Sequence, residues 1–322
     1  MASEFMTAYG FMEMMNNSLT KSDYYANLKT YPQEKCVMVV NPLSSDLNCM
    51  RQTLLLNGLE VIAYNINRQQ NDLKLYEYGN VYSFNPDFKA PEFDASNPEE
   101  ALAHRSDALK AYSEEPKFTL FITGNGYQSW RNKTVGGNFF ALKGYLELLL
   151  SKFGVTLANL EYEAAPSDLF AEGLVYKMNG GKEIAVMGTI SKARLKQFGI
   201  KQPVFAAEIS WNVLLKAVKK NKVQYSELPK FPEVKRDLAL LLDENVSFAE
   251  LRKSALATEK KLLKSVTLFD VYKGDKIPEG KKQYALSFVL QDMEKTLNDK
   301  AVEAVMGKLL ATFQHKHGAT LR

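Results

Sequence analysis

The apolar pattern of the last part of the chain, residues 231–322, constrains the fold more than any other feature of the sequence. The run Gln283–Leu290 places apolar side chains at every second position, which is the period of a half-buried strand. Two longer runs, Phe248–Leu263 and Asp299–Phe313, space them three or four residues apart, as an amphipathic helix does. Further strand-like runs lie at Val234–Leu242, Val266–Tyr272 and Ala319–Leu321. The predicted order is therefore β-α-β-β-α-β, which is that of a ferredoxin-like unit, a fold that specifies no function by itself.

Short local signals support the bounds of these elements. Ser247 precedes the first helix and Glu250 follows three residues later, which predicts a capping box. The segment Lys273–Gly280 contains two glycines and a proline and is predicted to be a loop.

A connector bracketed by prolines divides the chain of 322 residues. A helical run that begins at Trp211 ends in the lysine-rich segment 219–222, and Pro229 and Pro232 follow. Proline discourages helix continuation and favours extended geometry in the preceding residue. We expect a larger domain over residues 1–222, a linker over 223–230 and a smaller domain over 231–322, each able to bury a core.

The larger part mixes helix and strand signals. Leu55, Leu59, Ile62 and Ile66 are spaced by four, three and four residues and predict one helix, and Phe139–Phe153, ended by Gly154, predicts another. The segment Met178–Lys182 contains Asn-Gly-Gly and predicts a hairpin turn. Strand-like runs lie at Cys36–Val40, Leu75–Tyr82, Phe118–Ile122, Leu174–Met178, Ile184–Ile190 and Val204–Ile209. This pattern favours an α+β domain on a largely antiparallel sheet.

Composition excludes several classes of protein. No apolar run is long enough to span a bilayer, and the first residues lack a basic segment, so neither a membrane protein nor a secretory signal is expected. The two cysteines, Cys36 and Cys49, form no CxxC motif, which argues against a disulfide framework and a cysteine-built zinc site and favours a cytoplasmic location. The net charge is +4, and from Pro229 onward 17 Lys/Arg face 13 Asp/Glu, so that the last residues carry the whole excess. An ordinary solvated surface and an anionic partner both fit this charge.

Motifs for catalysis and metal binding are weak. The sequence contains no GxxxxGK[ST] loop and no GxSxG elbow, and the pairs Gly124–Gly126 and Gly136–Asn138 are interpreted as tight turns. Arg51 and Arg131 are interpreted as structural ion-pair partners. We assign no catalytic residue and no metal ligand. The three histidines are His104, His315 and His317, of which the last two lie near a helix end and do not share a face.

One face of the four-stranded sheet in the smaller domain could be open. An open sheet that carries aromatic and basic side chains is typical of RNA binding, because bases stack on rings while cations hold phosphates. The alternative is that Phe269 belongs to the core and the lysines are only solvated, and periodicity does not decide which face is open. Candidates near one edge are Phe269, Tyr272, Lys273, Lys281, Lys282 and Arg322.

Several ordered motifs resemble one known family. FPEVKRDLALLLDENV at 231–246, LFDVYKGDKIPEGKK at 268–282, EKTLNDKAVEAVMGKLL at 294–310 and GATLR at 318–322 resemble the ferredoxin-fold anticodon-binding domain of bacterial phenylalanine–tRNA ligase beta subunits. Motifs of the larger part resemble the catalytic-like but inactive module of the same subunit. These motifs are NPLS at 41–44, MRQTLL at 50–55, AYNINRQ at 63–69, YEYGNVY at 76–82 and FFALKGYLELLL at 139–150.

The resemblance implies a class II synthetase-like antiparallel sheet domain followed by the ferredoxin-like domain. In the family, the alpha subunit holds the active site and uses ATP and Mg²⁺ to charge tRNA(Phe). The beta subunit packs against it in a heterotetramer of two alpha and two beta subunits. The segment Ile184–Arg194 lacks the GxGxGxR pattern of an active class II module, and without that cationic clamp this chain is expected to be inactive and to bind no cofactor of its own. The family's editing domain and its Mg²⁺-binding residues lie upstream of the matching segment.

The resemblance also implies a tRNA-binding site. The family's anticodon-contacting tyrosine falls on Tyr272 and its C-terminal arginine on Arg322, while Gln283 stands where the family often has serine. Lys273 and Lys282 flank them as cations. Two other hypotheses remain open: a structural or assembly module whose ferredoxin-like domain binds a protein or small ligand, and an independently active synthetase-like enzyme. The last would require arginines that converge on a nucleotide.

Overall fold

The computed structural model describes residues 1–89, 99, 106–125, 136–157, 160–166, 168–219, 225, 227–274 and 277–322. The chain divides into two compact units, a front unit of residues 1–223 and a back unit of residues 224–322. Both units combine helices with mainly antiparallel strands, which confirms the predicted α+β class. The predicted linker over 223–230 stays a prediction, since residues 223, 224 and 226 lie outside the described part, as do residues 220–222 of the lysine-rich segment and residues 275 and 276 of the predicted loop.

A seven-stranded sheet organises the front unit. Its strand order is β1-β4-β5-β9-β8-β7-β6, and its described neighbours pair antiparallel except β1 and β4, which are parallel. Two short strands, β2 and β3, pair beside it. The strands are β1 Met12–Glu13, β2 Leu19–Thr20, β3 Cys49–Met50, β4 Leu73–Phe84, β5 Tyr112–Thr123, β6 Glu161–Ala164, β7 Phe170–Lys177, β8 Glu183–Ile190 and β9 Val204–Ser210.

Helices cover both faces of this sheet. The longer ones are α2, capped by the Thr53 side chain, and α3, capped by Asn138. Along β5 the side chains alternate, so that Leu120 and Ile122 pack in the cluster of α3 while Phe121 packs in the cluster of α2. Both predicted helices are confirmed. The helices are α1 Ala2–Ala8, α2 Leu54–Ile66, α3 Phe139–Lys152, α4 Lys192–Gln197 and α5 Trp211–Val218, with 3-10 turns at Ser22–Tyr25, Gln33–Lys35, Ser45–Leu47 and Asp107–Ala111.

The predicted hairpin turn after β7 is confirmed. Gly180 and Gly181 take φ values of 93° and 77°, a region that glycine enters without a steric penalty. Met178 N donates to Lys182 O at 2.8 Å and closes the turn.

The predicted strand Cys36–Val40 does not form. Its only pairing among the described residues is an isolated bridge between Met38 and Cys49. Cys36 is buried, but Val40 and Met38 are exposed, so the apolar run has no sheet to cover it. Asn41, which follows, takes a φ of 56° and turns the chain away.

The back unit folds as predicted around a four-stranded antiparallel sheet. The order β11-β12-β10-β13 places the first and third strands of the unit in the centre. Among the described residues, two helices, α6 and α7, contribute to the single hydrophobic cluster of this unit. The elements are β10 Val234–Asp243, α6 Phe248–Thr258, β11 Leu263–Tyr272, β12 Lys281–Leu290, α7 Asp299–His317 and β13 Thr320–Leu321.

The ends of the two helices in the back unit follow local signals. The capping box is present, because Ser247 Oγ accepts from Glu250 N while the Glu250 carboxylate accepts from Ser247 N. The helix ends at Thr258 rather than at the predicted Leu263, which instead begins β11. The second helix ends at Gly318, whose φ of 61° gives a left-handed cap.

None of the described helices is both long and apolar enough to cross a membrane.

Candidate nucleic-acid interface

The central strand β12 separates the two faces of the back-unit sheet. Tyr284, Leu286, Phe288 and Leu290 point toward the helices and form the core. The alternate residues lie on the other side, which we call the open face. No described helix of this unit packs there, since both helices share the cluster on the first side.

Tyr272, Gln283 and Arg322 meet on the open face. Gln283 stands opposite Tyr272 of β11 and opposite Leu241 of β10, and side chains opposite each other in an antiparallel pair share a face. Arg322 N donates to Ala239 O at 3.0 Å, which continues the edge pairing of β13. The three predicted residues therefore lie next to one another.

The contact between Arg322 and Gln283 is direct. The Arg322 guanidinium donates to Gln283 Oε1 at 2.6 Å. This bond orients the side-chain amide of Gln283 and does not use its Nε2 donor group. Tyr272 retains 40% of its accessible surface, so its ring is available for stacking. A planar cation, an amide and an aromatic ring side by side suit the recognition of an unpaired base.

A bulge in β11 determines which way Tyr272 points. Leu268 pairs with Leu286 on the helix side, whereas Asp270 pairs with Ala285, so Phe269 is an extra residue. The extra residue shifts the alternation by one and brings Tyr272 to the open face. Phe269 is 59% exposed, and the alternative that it belongs to the core is wrong.

The flanking lysines are placed differently from the central three residues. Lys273 forms an ion pair with Glu244, and this hydrogen bond lowers the pKa of the Glu244 carboxyl. Lys281 pairs with Asp243 at 2.8 Å. These cations lie at the rim, where carboxylates offset much of their charge.

Lys282 lies on the helix side of the sheet rather than on the open face. Only 6% of its surface is exposed, its Nζ donates to Glu244 O at 2.8 Å, and it lies 4.6 Å from the centre of the Tyr284 ring. The structure therefore does not bring Lys282 together with Tyr272. Its part in tRNA binding stays a prediction that this arrangement does not favour.

Arg51 and Arg194 are engaged in the fold of the front unit. Arg51 is buried, its guanidinium pairs with Glu77 at 2.8 Å and its Nε donates to Asn80 O at 3.0 Å, which confirms the structural interpretation. Arg194 Nε donates to Asp168 O at 3.2 Å. Arg131, Gly126 and His104 lie outside the described residues.

Two cavities of the front unit have no arginine among the described residues that line them. One, of about 450 Å³, is bordered by Lys74, Asp72 and the start of α3, and another, of about 230 Å³, is bordered by Lys117 and Glu208. Glu208 is satisfied by Thr53 Oγ1 at 2.7 Å and by the first amide of α2. Over the described part of the chain, no group of three or more His, Cys, Asp or Glu could hold a metal ion.

Comparisons with known proteins give each unit a family. The family model of the phenylalanyl tRNA synthetase beta chain CLM domain matches residues 1–211, and that of the ferredoxin-fold anticodon binding domain matches residues 229–322. The chain therefore belongs to the family of phenylalanyl tRNA synthetase beta chains, which confirms the resemblance seen in its motifs.

Relatives described as phenylalanine–tRNA ligase beta subunits align with nearly the whole chain. The phenylalanine–tRNA ligase beta subunit of Bacteroides thetaiotaomicron is 46% identical over 100% of this chain and 38% of its own length. That of Porphyromonas gingivalis is 43% identical over 99% and 38%, and that of Geobacillus kaustophilus 31% over 99% and 37%. The chain thus spans less than two fifths of the curated relatives it matches. Among solved structures, a pyrrolysyl tRNA synthetase of Desulfitobacterium hafniense aligns with a TM-score of 0.47 and 12% identity, over 68% of this chain and 66% of that one.

Proposed function

We propose that this chain is a non-catalytic part of a phenylalanine–tRNA ligase beta subunit that binds the anticodon of tRNA(Phe) and contacts an alpha subunit. In that assembly of two alpha and two beta subunits, the alpha subunit performs ATP- and Mg²⁺-dependent charging. The observation that carries the proposal is the meeting of Tyr272, Gln283 and Arg322 on an accessible sheet face within the anticodon-binding family domain.

Each of the three side chains has a distinct part in this proposal. The Tyr272 ring stacks on an unpaired anticodon base, because stacking needs only an exposed aromatic face. Arg322 stacks or contacts a phosphate or a base edge, and the amide of Gln283, held by Arg322, reads a base edge. The cationic Lys273 at the rim adds a phosphate contact once its partner Glu244 is displaced.

The front unit supports the contact with a partner chain. Its segment 38–47, which we call the apolar tip, exposes Met38, Val40, Leu43 and Leu47, and Leu43 is fully exposed. Clustered exposed apolar side chains mark interaction sites more often than solvated surface. The buried ion pair of Arg51 with Glu77 supports a structural role for this arginine in the front unit.

The anticodon contact is tested by filter binding of the whole chain to tRNA(Phe) at fixed salt. Tyr272→Ala should weaken binding by about 1–3 kcal/mol, the range for one lost base stack. The matched controls are Tyr64→Ala and Arg68→Ala, since Arg68 stacks on Tyr64 at 3.4 Å on the front unit. Unchanged affinity of the double variant Tyr272→Ala/Arg322→Ala would overturn the assignment of these residues.

The partner contact is tested by co-purification with an alpha subunit. Leu43→Asp on the apolar tip should reduce the recovered alpha subunit, because a charge in an apolar contact is desolvated without a partner. Leu109→Asp is the control, since Leu109 is an exposed leucine outside the tip. Equal recovery with both variants would remove the apolar tip from the proposed interface.

A further inference from the structure

We infer that the open face of the back unit carries a second nucleotide subsite, at which Asp237, Ser287 and Thr267 receive another unpaired base of the same RNA strand. The inference rests on the proposed binding of tRNA at Tyr272 and extends it to a separate place on the sheet. The base edge that these three side chains fit is one that presents an exocyclic amino group.

The strand register places the three residues in one row. Ser287 of β12 stands opposite Asp237 of β10 and opposite Thr267 of β11, and residues opposite each other in antiparallel strands share a face. Ser287 follows Gln283 by four residues on β12, so both point to the open face. At about 3.4 Å per residue the two rows lie about 14 Å apart, which is farther than one base extends. The row of Ser287 therefore needs a nucleotide of its own.

Ser287 holds a polar atom without a partner at the floor of this row. Its hydroxyl oxygen is buried and has no hydrogen-bond partner among the described residues, and the residue retains 3% of its accessible surface. Asp237 and Thr267, which flank it on the same face, are larger and exposed. A buried hydroxyl without a partner is unfavourable, so a base that hydrogen-bonds to Ser287 removes this cost on binding.

The polar groups of the row select a base edge over a phosphate. The Asp237 carboxylate accepts hydrogen bonds and repels phosphates, so it favours the amino group that adenine, guanine and cytosine carry. The hydroxyls of Ser287 and Thr267 can donate as well as accept, and they can bond the ring nitrogen or carbonyl oxygen beside that amino group. Uracil has no exocyclic amino group and is the base that this row fits least well.

Lys235 supplies a cation for the backbone of the same nucleotide. It precedes Asp237 by two residues on β10 and so shares the open face, where it stands opposite Val289 in the next row. Lys235 is exposed, whereas its neighbour Arg236 pairs with Asp299 on the helix side at 3.2 Å. A phosphate next to the bound base would therefore meet the ammonium group of Lys235.

Small side chains separate the two subsites along the central strands. Ala285 of β12 lies between the two rows and stands opposite Ala239 of β10, and both side chains end at Cβ. An RNA strand that leaves Tyr272 can therefore pass over these two strands toward Ser287. Four-stranded sheets that bind RNA commonly hold two or three bases in this way.

Filter binding of the whole chain to tRNA(Phe) tests the row. Ser287→Ala should weaken binding about two- to tenfold, the range for one hydrogen bond, and Asp237→Ala at least about tenfold, because a charged acceptor is lost. The melting temperature of Ser287→Ala should not fall, since the deleted hydroxyl has no protein partner. Unchanged affinity of both variants would overturn the inference.

The sign of the effect at Asp237 separates a base contact from a surface charge. Removal of an ordinary exposed carboxylate reduces the repulsion of RNA and leaves binding unchanged or stronger. Glu303→Ala is the matched control, because Glu303 is an exposed acid on α7, on the helix side of the sheet. A gain in affinity for Asp237→Ala as large as that for Glu303→Ala would show that Asp237 accepts no hydrogen bond from a base.

Transcripts of tRNA(Phe) that lack one base of the anticodon loop locate the two subsites. Tyr272→Ala should become insensitive to the loss of one base, and Asp237→Ala to the loss of a different one. If each missing base weakens Asp237→Ala as much as the unaltered chain, the second subsite does not exist. A response of Tyr272→Ala alone would remove only this subsite, whereas no response of either variant would also overturn the proposed anticodon contact.

Discussion

At the scale of single residues, the ion pair of Arg51 and Glu77 is the most deeply buried one in the described part of the front unit. Both side chains are almost fully buried. Asn16 adds two hydrogen bonds to the Glu77 carboxylate, at 2.7 and 3.2 Å. A satisfied buried pair contributes modestly to stability, but the loss of one partner leaves a buried charge unpaired.

Replacement of Arg51 by methionine should therefore be strongly destabilising. Arg51→Met leaves Glu77 buried without its cation, which costs about 3–5 kcal/mol. Glu77→Gln in the same background should recover part of the loss, because a neutral amide is cheaper to bury. Calorimetry of the two variants and the unaltered chain measures this, and equal melting temperatures for Arg51→Met and the unaltered chain would contradict the prediction.

The structure brings the three central candidate residues together, as the sequence predicts, but not all of the flanking ones. Tyr272, Gln283 and Arg322 follow from family motifs, and the structure brings them together. Lys282 is next to Gln283 in sequence, but adjacent strand residues point to opposite faces, and the pattern alone did not state which face was open. The ion pair of Lys273 joins it to Glu244 of the turn after β10, a contact that no local pattern reveals.

At the scale of elements, the bulge in β11 reverses the faces that strict alternation would assign to the residues after Phe269. Val266 and Leu268 face the helices. If Phe269 and every residue after it were paired in turn, Tyr272 would also face the core. Strict alternation cannot predict such a shift, because a bulge depends on the pairing of two strands. The predicted strand Cys36–Val40 does not form for a related reason. Its composition suits a strand, but among the described residues only one bridge pairs it with another segment.

The bulge makes a specific prediction for the removal of Phe269. Deletion of Phe269 takes out the extra residue but leaves Asp270 opposite Ala285 and Tyr272 opposite Gln283, so Tyr272 stays on the open face. The deletion variant should therefore retain most of the affinity for tRNA, as Phe269→Ala should, whereas Tyr272→Ala should lose the stacking contribution. Filter binding compares the three, with hydrogen exchange of β12 as the control for folding; a loss in the folded deletion variant as large as that of Tyr272→Ala would show that the bulge itself is needed to orient the site.

The capping box of α6 predicts a local pH dependence. Hydrogen bonds from the Ser247 backbone and side chain lower the pKa of Glu250 below 4.5, so the folded state favours the carboxylate. This contribution is complete above pH 4.5 and is lost as the pH falls through the lowered folded value. Ser247→Ala should reduce the stability of helix α6 against local opening by about 1 kcal/mol.

Hydrogen exchange of Phe248–Thr258 measures the effect of the cap. The unaltered chain should lose protection in this segment at acidic pH, and Glu250→Gln should be less protected at neutral pH but insensitive to acidification in the same range. Parallel pH profiles for the two proteins would contradict a role for the carboxylate.

At the scale of the whole molecule, ion pairs offset part of the positive charge that is concentrated in the last residues. The excess of +4 belongs to residues 229–322, but Lys273, Lys281 and Arg236 are each paired with a carboxylate. Net charge therefore overstates the cations that are free to meet a phosphate. Arg322 is exposed, and its guanidinium donates to the neutral amide of Gln283 and so keeps its charge uncompensated by that contact.

The salt dependence of tRNA binding distinguishes a phosphate contact of Arg322 from a contact with a base edge. A side chain that neutralises one phosphate of a single-stranded loop contributes roughly 0.7 to the slope of log affinity against log salt, because one condensed counterion is released. Arg322→Gln should reduce the slope by about that amount, whereas Tyr272→Ala should lower the affinity without changing the slope. Lys308→Gln on α7, on the helix side of the sheet, is the control. If Arg322→Gln lowers the affinity at every salt concentration equally, the guanidinium contacts a base edge and not a phosphate.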